Sequence, residues 1–126
     1  MGHCACIALM FEDENVLDTN CGNSYDYYKT FKDDNNTNSW YRGLTLKDGI
    51  ENEYMYVAKD GKKYAYKAKM RDIDLAKTLK TCDFYMFVDY RMVINKDDFD
   101  TENEFNSFFV KRFNNATDIE IVNIHL

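Results

Sequence analysis

The chain has no proline, only two histidines and only five glycines among its 126 residues. Average usage would supply about six prolines. Their absence beside plentiful Asn, Asp, Lys, Tyr and Phe reads as a low-GC compositional bias, of the kind met in low-GC bacteria and their phages. Glycine this sparse leaves no Gly-rich loop to cradle a phosphate. His3 and His125 both sit at chain ends, which leaves little material for a triad, because a nucleophilic cysteine needs a base within hydrogen-bond reach. Long apolar runs are also missing. Cys4 to Phe11 is the longest, far short of the roughly 18–20 residues that span a bilayer. It lacks the basic flank and the length of a secretory signal. A cytoplasmic location with reduced thiols, and no membrane, is therefore expected.

What is present argues for one folded domain over residues 1–126. Nine phenylalanines and ten tyrosines supply a bulky core, the opposite of a disordered composition. No repeat, linker or low-complexity tract divides the chain. The net charge of −6 argues against direct nucleic-acid binding, which relies on cations displacing counterions from phosphates. It suits a protein partner with a basic face.

The pattern along the chain predicts an α+β fold: a mixed, mainly antiparallel sheet of about five to six strands with two to three helices packed on it. His3 to Phe11 has two apolar faces, as a central strand covered on both sides would. Glu12 to Glu14 follows as a turn. Ser24 caps a short aromatic helix over about Tyr25 to Lys32. Asp33 to Ser39 reads as a loop and Trp40 to Leu46 as extended chain. Asp60-Gly61 between alternating runs predicts a two-residue type I′ hairpin over Tyr54 to Met70. In that register Val57 faces Tyr64 and Met55 faces Tyr66. The other face then carries Tyr54, Tyr56, Lys63, Ala65, Lys67 and Lys69. Asp72 is placed as the cap of a helix striped by Ile73, Ala76 and Leu79. Phe84 to Ile94 reads as one long strand, with Phe84, Met86, Val88, Tyr90, Met92 and Ile94 on one face. Thr101 and Glu104 form a capping box, and Phe105, Phe108, Phe109 and Phe113 recur behind it at helical spacing. Asp118 to His125 closes the chain as a strand.

No residue is assigned to catalysis and no metal or cofactor is expected. His3, Cys4, Cys6 and Cys21 do not follow a zinc-ligand spacing, and cysteine is often just a small buried hydrophobe. Asp33 to Asn38 begins like a calcium loop but lacks its glycine and closing glutamate. Ala65-Tyr66-Lys67 lacks the carboxylate that a Glu-x-Lys metal nuclease uses.

Three functions are weighed. The first is a small acidic inhibitor, comparable in composition to immunity proteins and phage anti-defence proteins, that blocks a basic nuclease or other nucleic-acid-handling partner. Its contact residues would be Tyr25, Tyr27 and Tyr28 as anchors. One acidic group would add Glu12, Asp13 and Glu14 to Asp33 and Asp34, and a second would be Asp97, Asp98, Asp100, Glu102 and Glu104. The second is a nucleic-acid or nucleotide binder using Tyr54, Tyr56, Lys63, Lys67 and Lys69. The third is a hydrolase built on the N-terminal cysteines.

Overall fold

The computed structural model of the chain describes residues 3–10, 27–30, 42–89 and 92–125. In order, the elements are β1 (His3–Met10), β2 (Tyr27–Thr30), β3 (Met55–Val57), β4 (Lys63–Ala65), β5 (Lys67–Lys69), α1 (Leu75–Thr81), β6 (Met86–Asp89), β7 (Met92–Asn95), α2 (Glu102–Phe113) and β8 (Asp118–His125). The main sheet runs β2-β8-β1-β6-β7, and β5 also pairs with β8. Strands β5 and β2 share one edge of β8, against residues 118–120 and 122–125 respectively. Among the described residues only β1 and β6 pair in parallel. The hairpin β3-β4 forms a second, small sheet. The fold is α+β, with a mixed, mainly antiparallel sheet, as the pattern predicts.

Strand β1 is apolar on both faces because both are covered: Cys6, Ile7, Ala8 and Leu9 are all 0% exposed. Ile7 lies beside Ile121 and Phe87, and Leu9 beside Ile119. Helix α2 lays Phe105, Phe109 and Phe113 on this face, with the Phe109 ring 5.0 Å from that of Phe87 and 5.2 Å from that of Phe84. Thr101 fixes where α2 starts, its Oγ1 accepting the Glu104 amide at 3.1 Å. The reverse face of the sheet buries Cys6, Ala8, Met86, Val88 and Val122, together with the Glu120 side chain.

Four local expectations are corrected. Tyr27–Thr30, inside the expected aromatic helix, is strand β2 on the edge of β8. Tyrosine and threonine suit a strand, and a sheet edge offering backbone partners outweighs a weak helix cap. The long strand from Phe84 is a hairpin, β6 folding onto β7 with Asp89 opposite Met92. That places Phe87, not Met86, on the face of Ile94. Helix α1 is capped by Asp74, whose Oδ1 accepts the Lys77 amide at 3.1 Å, while Ile73 is buried just ahead of it.

The fourth correction changes a surface. The Ala58 amide donates to the Lys62 carbonyl and the Gly61 amide to the Ala58 carbonyl, each at 2.9 Å, and Gly61 has φ +83°. This is a three-residue loop, a tight turn closed by a glycine bulge, rather than a two-residue turn. The pairing moves by one residue, so Tyr56 faces Tyr64 and Met55 faces Ala65. A one-residue slip exchanges the two faces. Beyond Ala65 the chain leaves the small sheet at Tyr66. Its amide donates to the Tyr54 carbonyl and its carbonyl accepts the Ile121 amide, and β5 continues in the main sheet.

Candidate functional site

Two surfaces stand out, one acidic and one mixing tyrosines with lysines, and they lie in different parts of the fold. The acidic one is built where β7 hands over to α2. Asp97, Asp98, Asp100, Glu102 and Glu104 are all exposed. Lys96 is the one cation between residues 96 and 104, its Nζ 3.9 Å from Glu102 Oε1. The Lys96 ammonium also lies 6.0 Å from the Tyr85 ring centroid and 5.7 Å from that of Phe105. Tyr85, 47% exposed, stands at the edge of the group and donates its hydroxyl proton to Asp97 Oδ1 at 3.0 Å. That hydrogen bond, then the carboxylate charge, raises the Tyr85 pKa. Next to the carboxylates, Phe99 and Phe108 meet at 5.6 Å and line a shallow hollow of about 320 Å³ rimmed by Glu104 and Lys111. The local chain explains the arrangement. Acidic residues in the first turn of α2 face the positive end of its backbone dipole, so the fold can concentrate negative charge there at little loss of stability.

The second surface is the reverse of the hairpin and β5. Tyr54, Tyr66, Tyr56 and Tyr64 form a row of rings, with successive centroids 5.5, 6.3 and 6.4 Å apart. Lys67 Nζ lies 5.6 Å from the Tyr54 ring centroid. Lys67 is opposite Glu120 in the ladder and Lys69 opposite Asp118. Of the five residues expected to form a tyrosine–lysine face, the structure gathers Tyr54, Lys67 and Lys69 around one cleft. Tyr56 is half-buried with its hydroxyl toward Gly43, and burial raises its pKa. Lys63 pairs with Val57 and so lies on the other face of the hairpin.

At the hairpin tip, Arg42 makes a forked contact with Asp83, the Nη2 to Oδ1 distance being 2.6 Å. Burial works to raise the Asp83 pKa, but hydrogen bonds from the Arg42 side chain and amide outweigh it and the net shift is downward. Tyr64 donates to Asp60 Oδ2 at 2.6 Å beside this pair. The first contact joins the chain at Arg42 to that at Asp83, the second ties the hairpin loop to β4, and these charges satisfy one another.

Tyr25, Asp33, Asp34 and the carboxylates of residues 12–14 lie outside the described residues, as does the loop expected over residues 33–39. Tyr27 and Tyr28 occupy positions opposite His125 and Ile124 in β2. Among the described residues no group of three His, Cys, Asp or Glu side chains is placed to hold a metal. Burial raises the pKa of the half-buried Cys82 thiol, the reverse of what an activated nucleophile needs. Among the described residues no helix is long and apolar enough to cross a membrane.

Sequence reasoning passed over Tyr85, Phe99 and Phe108 on the acidic surface, and Asn52 and Arg71 on the other. One signal pointed to the second group. Residues 59–80 hold eight of the chain's sixteen lysines and arginines but only three of its twenty-two acids. The net charge of −6 therefore conceals a basic stretch inside an acidic molecule. No family model matches the chain, and no curated protein or solved structure matches it.

Proposed function

We propose that the chain is a protein-binding inhibitor whose acidic surface occupies the basic face of a nuclease or another nucleic-acid-handling protein. Immunity proteins and phage anti-defence proteins act in this manner. The observation that carries the reading is the group of five exposed carboxylates around Tyr85 and the start of α2, with Lys96 the one cation between residues 96 and 104 and Lys111 at the rim. Exposed carboxylates at this density draw a cationic surface from a distance and raise its association rate. Tyr85 and the Phe99–Phe108 hollow supply what charge alone does not, an aromatic area that can be desolvated on contact. The mechanism is occlusion: the partner's phosphate-binding cations are neutralised and covered together.

The test uses two immobilised baits, the native chain and a variant carrying Asp98→Lys, Asp100→Lys and Glu104→Lys, exposed to lysate of the native host. A nucleic-acid-handling protein of strongly basic charge should be held by the native bait at ~0.05 M salt and released by ~0.5 M, as the screening length contracts. The variant bait should not retain it, and the native chain should inhibit its activity in stoichiometric amount. Equal retention on both baits, or retention indifferent to salt, would show that these carboxylates do not form the contact.

A further inference from the structure

The cleft beside β5 has the parts of a small anion site. It encloses about 350 Å³, within the ~300–1,000 Å³ range of small-ligand pockets. Asn52 builds its outer wall. Its Nδ2 donates to the Lys67 carbonyl at 3.0 Å and its Oδ1 accepts the Tyr54 amide at 2.8 Å, fastening the chain ahead of β3 along β5. Tyr54 contributes a half-exposed ring held edge-on against Tyr66. Lys67, Lys69 and Arg71 then bring three cations to the same hollow. Alternation along an extended strand sets the two lysines on one side of the sheet, and the turn after β5 carries Arg71 to the rim. Lys69 and Arg71 also line a neighbouring hollow of about 660 Å³, which leaves room beyond the cations for the rest of a ligand.

We infer that this cleft binds a phosphate ester of nucleotide size, with Lys69 and Arg71 on the phosphate and the organic part lying along the Tyr54 side. The guanidinium is suited to two parallel hydrogen bonds to phosphate oxygens, and the lysine adds a point charge. Arg71 is available for this role. Its side chain is 76% exposed, and its Nε stands 4.0 Å from Asp72 Oδ1, a loose contact that a phosphate can replace. Asp72 and Asp118 line the cleft too, Glu120 stands opposite Lys67, and Glu53 accepts a hydrogen bond from the Tyr54 hydroxyl, so the three cations are matched by nearby carboxylates. Charge attraction by itself is therefore small, and recognition needs the organic group as well as the anion. A bare surface lysine cluster would behave in the opposite way, preferring a polyanion of any kind.

The site is independent of the acidic surface, so each can fail without the other. The experiment is a titration of the isotopically labelled full chain, following backbone amide resonances, with inorganic phosphate, AMP and a short single-stranded oligonucleotide as separate probes. AMP should give saturable shifts at Asn52, Tyr54 and residues 67–72, with phosphate binding the same amides at least tenfold more weakly. Lys69→Gln with Arg71→Gln should weaken AMP at least tenfold and leave the remaining spectrum intact, while Lys111→Gln on α2 should change nothing. Absence of saturation by AMP up to ~10 mM would overturn the inference. So would AMP shifts unaffected by the double substitution, or binding of the oligonucleotide alone.

Discussion

Gly43 has no side chain because two oxygens already stand where a methyl group would go. A Cβ built there would lie 2.5 Å from the Tyr56 hydroxyl and 2.7 Å from the Ala65 carbonyl oxygen. The first neighbour is the end of a side chain and can turn aside. The second is backbone, held in place because Ala65 exchanges both its amide and its carbonyl with Leu44 at 2.9 Å. Gly43→Ala should therefore destabilise the chain by about 1–3 kcal/mol, the usual penalty for overpacking a close contact. The measurement is the urea midpoint of the variant against the native chain. Adding Tyr56→Phe should recover part of the loss and not all of it, since the carbonyl clash persists. Full recovery would mean that the Leu44–Ala65 bridge yields more readily than its paired hydrogen bonds imply. Phe99 and Phe108 show a different residue-scale rule. They remain half-buried although Phe105 and Phe109, on the same helix as Phe108, are fully covered, and that partial exposure is what makes them available to a partner.

At the scale of elements, the β3-β4 hairpin is fastened by the bond from Tyr64 to Asp60, and this predicts its behaviour in alkali. Burial and then the Asp60 hydrogen bond push the Tyr64 pKa up to about 12, from the ~10 of an ordinary tyrosine. The folded chain thus holds this proton more tightly than the unfolded one. The associated stability is complete below pH ~10 and is lost as pH rises toward about 12. Subtracting the alkaline absorbance titration of Tyr64→Phe from that of the native chain should leave one late phenolate step. A step near pH ~10 instead would show that the Tyr64 hydroxyl is neither buried nor held by Asp60. The same hairpin shows how far the sequence is legible. Asp60-Gly61 announces a turn, but that dipeptide serves both a two-residue loop and the three-residue loop with a glycine bulge. The choice decides whether Tyr64 and Tyr66 join Tyr54 and Tyr56 or oppose them. Between β6 and β7 the difficulty is reversed: Asp89-Tyr90-Arg91-Met92 contains no glycine, asparagine or proline, so alternation alone sets Met86 with Ile94 where the pairing sets Phe87. Both cases are single-residue errors of phase, and in a strand such an error moves every later side chain to the other face. Helix α2 escaped this, because a threonine cap and four phenylalanines at helical spacing fix its start and its buried face together. Tyr27–Thr30 did not, because a four-residue strand on the edge of β8 owes its form to the partner strand more than to its own residues.

Over the whole molecule, charge is sorted, and the sorting bears on stability as well as on recognition. Outside residues 59–80, eight cations face nineteen acids, so the acidic part repels itself. The carboxylates in it are not equivalent. Asp97 accepts a hydrogen bond from Tyr85, and Glu102 lies near Lys96 at the favourable end of α2. Asp98 and Asp100 are exposed and sit ahead of the helix, where they share in the repulsion. Residues kept for a partner commonly add little to stability or reduce it. Replacing Asp98 and Asp100 together by asparagine should then leave the stability at low salt unchanged or raise it by up to ~0.5 kcal/mol, within the range for surface positions that carry no structural contact. If the proposed basic partner binds here, the same pair of substitutions should slow association with it severalfold, and the difference should shrink as salt is added. Urea denaturation at ~10 mM salt reads the first effect and stopped-flow association the second. A loss of more than ~1 kcal/mol would mark these carboxylates as structural supports of the turn into α2 rather than charges held out for a partner. Unchanged association with unchanged stability would move the binding surface elsewhere on the molecule.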